Sequence, residues 1–342
     1  MQTHCCSRDE VAPGFGAVRS SLRRANQIDS QVVTNPMPRL LAALMILSVS
    51  SAALGQQPTL RLPDESVGID GITRTIVSAF DKFDIVALGE AHERTQDSDL
   101  RVAVVRHPDF AKKVRSIVVE FATTAEQATL DRYIRGENVS RAQLERVRPT
   151  QPGSLTSRNP IYEEFFAAVR QVNSTLPADA RIRVFGGEDN RNRDTAAFSI
   201  LNEQVLQEHG KALVIYGAGH FYRTMPADLA SGTSEGIGLV RMLDRDYPGR
   251  TFAVIPLGVF DPPAGLPTGP VPDYRKFDRV LKTQVRPVLV SLKRPPFQDF
   301  TAEEFLGNTL LTCNGPGGCR SAFKGSKLKL SEMADACVYF GK

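Results

Sequence analysis

Residues 84–96 read DIVALGEAHERTQ. Ile85, Val86, Ala87 and Leu88 make an apolar run of strand length, Gly89 follows, and the chain then presents Glu90, His92 and Glu93. An apolar run without polar alternation predicts a strand covered on both faces, as in a parallel sheet. Such a strand delivers the residues after it to one edge of the sheet, where open α/β folds place their ligands. The chain repeats the pattern in SIVVEF from 116, IRVFGG from 182, ALVIYGAG from 212, TFAVIPLG from 251 and RPVLVSL from 286.

Longer amphipathic stretches separate these runs. SVGIDGITRTIVSAFDKF precedes the first strand, and DSDLRVAVVRHPDFAKKV follows it, interrupted near Pro108. TTAEQATLDRYIRGE has Thr123 or Thr124 as its N-cap, and NPIYEEFFAAVRQVNSTL carries Pro160 near its first turn. RDTAAFSILNEQVLQEHG is expected to close on Gly210. The expected fold class is therefore α/β, a mainly parallel β-sheet layered by helices, in a single domain.

The 342 residues, 42% of them hydrophobic, suffice for a full core. The formal net charge of +4 comes from scattered residues with no basic block, which argues against nucleic acid as a partner. MPRLLAALMILSVSSAALGQQ, from Met37, has the order of a secretory signal: Arg39, an apolar stretch too short to span a bilayer, and Ala53-Leu54-Gly55 as a small-residue cleavage site. The expected organisation is an upstream extension plus signal peptide over 1–55, with Met37 the start, an α/β body over 56–296, and a cysteine-containing appendage over 297–342. The mature protein would be exported to the periplasm or medium, with no stable membrane insertion. In that setting CNGPGGC reads as a disulfide loop joining Cys313 and Cys319, with Cys313 to Cys337 as the competing pairing. Asn138 and Asn173 each begin a glycosylation sequon.

The first strand leaves Glu90 and His92 at the ligand edge and the second leaves Glu120. The third leaves Glu188 and Asp189, with Arg191, Arg193 and Asp194 just after. The fourth leaves His220, then Tyr222 and Arg223. LGEAH and YGAGH place two of the few histidines after strand-terminal glycines. A carboxylate-oriented imidazole can act as general base toward water while an arginine stabilises an oxyanion, a reading that requires no cofactor. The same His92, His220, Glu90 and Glu120 could instead hold a divalent metal, and Tyr222 could ligate haem. Taken singly, each residue has a plainer reading: the glutamates as complements to helix dipoles, the histidines as satisfied turn residues. His107, His209 and Tyr216 are read as structural, Glu93 as a solvated helix-entry residue, and the proline-rich stretch over 258–283 as a loop or lid. No Gly-x-Ser-x-Gly elbow is present, and SGTSEGIG from 231 lacks a P-loop lysine.

With those residues in place, the chain resembles the superfamily that joins erythromycin-esterase-like proteins, ChaN-like haem-uptake lipoproteins and the TraB/TIKI group. The resemblance rests on Gly89-Glu90-Ala91-His92, Val119-Glu120 and Gly217-Ala218-Gly219-His220, and covers roughly residues 70–257. Asp131 to Glu137 and Arg183 to Asp189 match segments of exported bacterial members. It implies His92 as general base with Glu90 and Glu120 as partners, His220 completing the site, Arg193 as charge stabiliser, and a small-molecule substrate or ligand. ERTQDSDL follows the first motif in place of the His-rich extension of the ChaN group, and His220 stands alone where the esterases carry a cluster, so macrolide hydrolysis does not carry over.

Overall fold

The structure is a computed structural model that describes residues 62–149, 159–189, 193–226, 238–258, 272–306, 311–313 and 319–341. The proposed leader, residues 1–55, lies outside the described residues, as does half of the proline-rich stretch, 259–271; the described remainder is not all loop, since Arg275–Val280 is a helix. No helix among the described residues is long and apolar enough to cross a membrane.

Ten strands form among the described residues: β1 (Glu65–Val67), β2 (Ile85–Glu90), β3 (Ser116–Thr123), β4 (Arg183–Glu188), β5 (Ala212–Gly217), β6 (Thr251–Leu257), β7 (Val288–Ser291), β8 (Leu311–Cys313), β9 (Cys319–Ser321) and β10 (Ala336–Tyr339). Eight of them make one sheet in the order β1-β7-β10-β6-β2-β5-β3-β4. Every pairing from β10 to β4 is parallel, and β7 runs against its two neighbours. The mainly parallel α/β sheet expected from the apolar runs is therefore present.

Burial follows the two-residue period of a strand. In β2, Ile85 and Ala87 join one core and Val86 and Leu88 the other; in β5, Ala212, Val214 and Tyr216 face the first and Leu213 and Ile215 the second. Helices cover both faces. Gly68–Ala79 and Thr95–Arg106 pack on the second face with Ile161–Ser174, whose buried stripe of Tyr162, Phe165, Phe166, Val169 and Asn173 has helical spacing. The helix Arg193–Leu201 packs on the first face through Ala197 and Leu201. It continues as a π-helical turn, Asn202–Leu206, and His209, not Gly210, takes the left-handed conformation that ends it (φ 53°).

Two further expectations need correction. The C-terminal segment is no appendage: β10 inserts between β7 and β6, and Phe323, Leu330 and Met333 belong to the first core. Cys337, within β10, is a buried free thiol, so the Cys313 to Cys337 pairing is excluded. β8 and β9 pair with Cys313 opposite Cys319, the register a loop disulfide would need, but those side chains lie outside the described residues and no disulfide is shown. Asn173 is buried and engaged with the backbone of Ile182 in both directions (2.8 Å each), which removes its sequon from use in the folded protein.

β3 carries the irregularity that matters most for the site. Its register with β4 shifts between Val119 and Thr123, so Glu120 lies inside the strand at a bulge and not at its end. Gly186 of β4 makes room for it: a Cβ there would stand 2.7 Å from the Thr123 carbonyl oxygen and 2.8 Å from that of Ala122. Backbone cannot yield as a flexible side chain does. Gly186→Ala should therefore cost about 1–3 kcal/mol, read as a lower denaturant midpoint, and a midpoint equal to wild type would remove this account of the bulge.

Candidate active site

Glu90 ends β2 with its carboxylate buried. Arg101, inside the helix Thr95–Arg106 and 1% exposed, donates from Nη1 to Glu90 Oε2. Its Nη2 donates to Ser98 Oγ at 3.2 Å, and its guanidinium lies over the rings of Tyr162 (4.7 Å) and Phe121 (4.9 Å). The Tyr162 hydroxyl donates to Glu90 Oε1 at 3.0 Å and accepts the Glu93 amide at 3.1 Å. Glu93 turns the chain in the left-handed region (φ 64°), so its backbone, and not its carboxylate, serves the site.

Burial pushes the Glu90 carboxyl up, but the Arg101 charge and the His92 hydrogen bond outweigh it, and Glu90 is held below the ordinary carboxylate range. An ionised carboxylate only accepts, so the Glu90 Oε1 to His92 Nδ1 contact of 3.0 Å places a proton on Nδ1 and leaves Nε2 of the neutral ring basic. Burial lowers the His92 pKa, and the Glu90 hydrogen bond with the Glu120 charge more than reverses this, raising it above 6.5. The far edge of the ring rests on Gly217: a Cβ there would lie 2.8 Å from Cε1 and Nε2.

The opposite wall is built around Glu120, which accepts the Gly217 amide at 2.7 Å. His220 follows β5 in a short 3₁₀ turn and bridges two carboxylates, with Nδ1 at 2.6 Å from Asp194 Oδ1 and Nε2 at 3.5 Å from Glu120 Oε1. Tyr216 packs edge-on against its ring at 5.5 Å. Burial disfavours the charged imidazole, yet Glu120 and Asp194 overcome that and raise its pKa to about 10. Burial pushes the Glu120 carboxyl up, but the His220 charge and hydrogen bond, with the His92 charge, hold it far below its usual range. His220 is thus a standing cation at neutral pH, whereas His92 is the proton-exchanging ring.

Glu90, His92, Gly217, His220, Tyr222, Pro256, Leu257 and Tyr274 line a cavity of about 230 Å³. The structure brings together Glu90, His92, Glu120 and His220, as the sequence predicts. Arg193 opens its helix, but its side chain lies outside the described residues; the neighbouring Asp194 is the group that reaches His220. Arg223 points elsewhere, to Asp244 and Asp335 at 2.7 Å each. Arg101 and Tyr162 were not legible as site residues, although an arginine in line with Asp97 and Val105 on a buried helix face signals a buried partner.

The groups that a metal or a haem would use are largely engaged among the described residues. Both ring nitrogens of His220 and Nδ1 of His92 are committed to carboxylates, Glu90 is saturated by Arg101, Tyr162 and His92, and no group among the described residues is arranged to hold a metal. Tyr222 lines the cavity but is 3% exposed, with its ring against Phe323 at 6.0 Å. A cavity of about 230 Å³ falls below the roughly 300–1,000 Å³ of drug-sized pockets, and a porphyrin is larger still.

Two substitutions test these assignments. Arg101→Met strands a buried carboxylate and should cost about 3–5 kcal/mol, seen as a lowered unfolding midpoint. Because His220 has a higher pKa folded (about 10) than unfolded, its contribution to stability is complete below about 6.5 and is lost as pH rises toward about 10. His220→Asn should flatten that part of the stability-against-pH curve, and an unchanged slope would count against the His220 bridge between Asp194 and Glu120.

No protein-family model matches the chain, and no curated protein matches it in sequence. Solved structures do. A protein from Bacillus cereus aligns with TM-score 0.53 and 12% identity over 80% of this chain and 92% of its own. Erythromycin esterase EreC, in its open conformation, aligns at 0.53 and 10% over 80% and 93%. A succinoglycan biosynthesis protein aligns at 0.52 and 9% over 78% and 89%. The expected likeness to erythromycin-esterase-like proteins is thereby shown as a likeness of fold.

Proposed function

We propose that the protein hydrolyses an ester or related acyl bond of a small molecule with water, using His92 as general base. The observation that carries this reading is the Glu90–His92 pair, held charged and oriented by Arg101 and Tyr162, beside the His220 cation in one cavity. The fold shared with an erythromycin esterase is in keeping with it. Water attacks the carbonyl carbon as Nε2 of His92 takes its proton, and the carbonyl electron pair moves onto oxygen. The His220 imidazolium, which lines the same cavity, supplies the positive charge for that oxyanion, with Glu120 and Asp194 fixing its ring. Collapse breaks the bond to the leaving oxygen, which receives the proton from His92, giving one acid and one alcohol. Encounter with the substrate outside the cytoplasm rests on the signal-like stretch from Met37.

On an ester panel, His92→Ala should lower kcat/KM by about 10²–10⁴-fold. The wild-type rate should rise with pH through a value above 6.5, as His92 loses its proton, and fall as His220 deprotonates near about 10. Glu90→Gln should move the rising limb to lower pH, since Glu90 is what lifts His92. Full turnover in His92→Ala, or a rate flat with pH, would remove the reading.

A further inference from the structure

Arg94 lines the same cavity and is used by nothing described so far. Its side chain is 9% exposed. Asp97, in the first turn of the helix Thr95–Arg106, takes one edge of the guanidinium: Nε donates to Oδ2 at 2.8 Å and Nη2 to Oδ1 at 3.0 Å. Asp97 is fixed in turn by the Ala91 amide at 3.0 Å, which ties this pair to the Glu90–His92 turn. The guanidinium face is stacked on Phe340 at 4.2 Å from the ring centroid. Both constraints set the plane of the group, and among the described residues they leave the end-on edge formed by Nη1 and the second hydrogen of Nη2 without an acceptor.

Nη1, on that edge, lies beside Gly258, which lines the cavity with Tyr274. A Cβ at Gly258 would lie 3.6 Å from Arg94 Nη1, and the Tyr274 hydroxyl donates to the Gly258 carbonyl at 3.1 Å. Arg94 is the one arginine or lysine among the described residues lining the cavity. Arg101 cannot substitute for it, being sealed behind Glu90 and three aromatic rings. A planar, pre-oriented guanidinium edge opening into a confined space matches the two oxygens of a carboxylate. The remaining wall residues Pro256, Leu257 and Tyr222 suit a short apolar spacer.

We infer that Arg94 is a substrate anchor, and that the molecule hydrolysed carries a carboxylate a few atoms from its acyl bond. This rests on the hydrolytic reading for its chemistry and on Arg94 alone for the anion. The test pairs 4-acetoxybenzoate with its neutral isostere 4-acetoxybenzamide, on the full chain. Wild type should favour the benzoate in kcat/KM by roughly tenfold or more. Arg94→Met should erase the preference mainly by raising KM for the benzoate, and Arg94→Lys should keep part of it.

Binding of the product 4-hydroxybenzoate, followed by titration calorimetry, separates the two claims. Binding to wild type that weakens about tenfold in Arg94→Met, with neither ester turned over, supports the anchor and rejects hydrolysis. Turnover of both esters at equal efficiency in wild type overturns the anchor and leaves hydrolysis standing. The anchor also falls if wild type does not bind 4-hydroxybenzoate, or binds it as Arg94→Met does.

Discussion

The interaction on which the site depends is the buried ion pair between Glu90 and Arg101. A carboxylate at the end of a fully covered strand would ordinarily take up a proton and lose its value as an acceptor. Arg101 prevents this from inside the neighbouring helix, and the rings of Phe121, Tyr162 and Phe165 surround it. Because Glu90 stays charged, the proton between it and His92 has a defined position, and the basic nitrogen of His92 has a defined direction. Removal of either partner would leave the other buried without compensation, so conformation and chemistry are joined at this point.

The second wall applies the same physics to the opposite end. Among the described residues His92 meets one carboxylate, through Nδ1, and Nε2 takes none, whereas His220 meets a carboxylate at each ring nitrogen. Two imidazoles that look equivalent as LGEAH and YGAGH therefore stand in different electrostatic settings, one raised chiefly by the Glu90 hydrogen bond and one fixed as a cation at neutral pH by two carboxylates. Separated proton affinities of this kind are what assign acid, base and electrostatic roles within a cluster.

The strands and their edge residues were legible because a doubly covered strand is a run of apolar residues, and the residues just past its end must emerge at the sheet edge. That argument found Glu90, His92, Glu120 and His220. It did not find Tyr162, which reaches the site from a helix begun far along the chain, nor did it choose Asp194 over Arg193, since adjacent helix positions differ only in direction. The bulge at Glu120 was hidden for a related reason: it is permitted by Gly186 on another strand, and local sequence does not report what a partner leaves room for. The position of β10 was missed because an apolar stretch after a cysteine loop carries no information about which two strands it will separate.

That position has a temporal side. β10 is the interior strand between β7 and β6, and it supplies both of them with main-chain partners. Until residues 336–339 are available, β6 lacks its neighbour on that side, and β1 and β7 have no connection to the rest of the sheet. Closure of this scaffold thus waits on a strand made after every other strand of the sheet, through contacts distant in sequence.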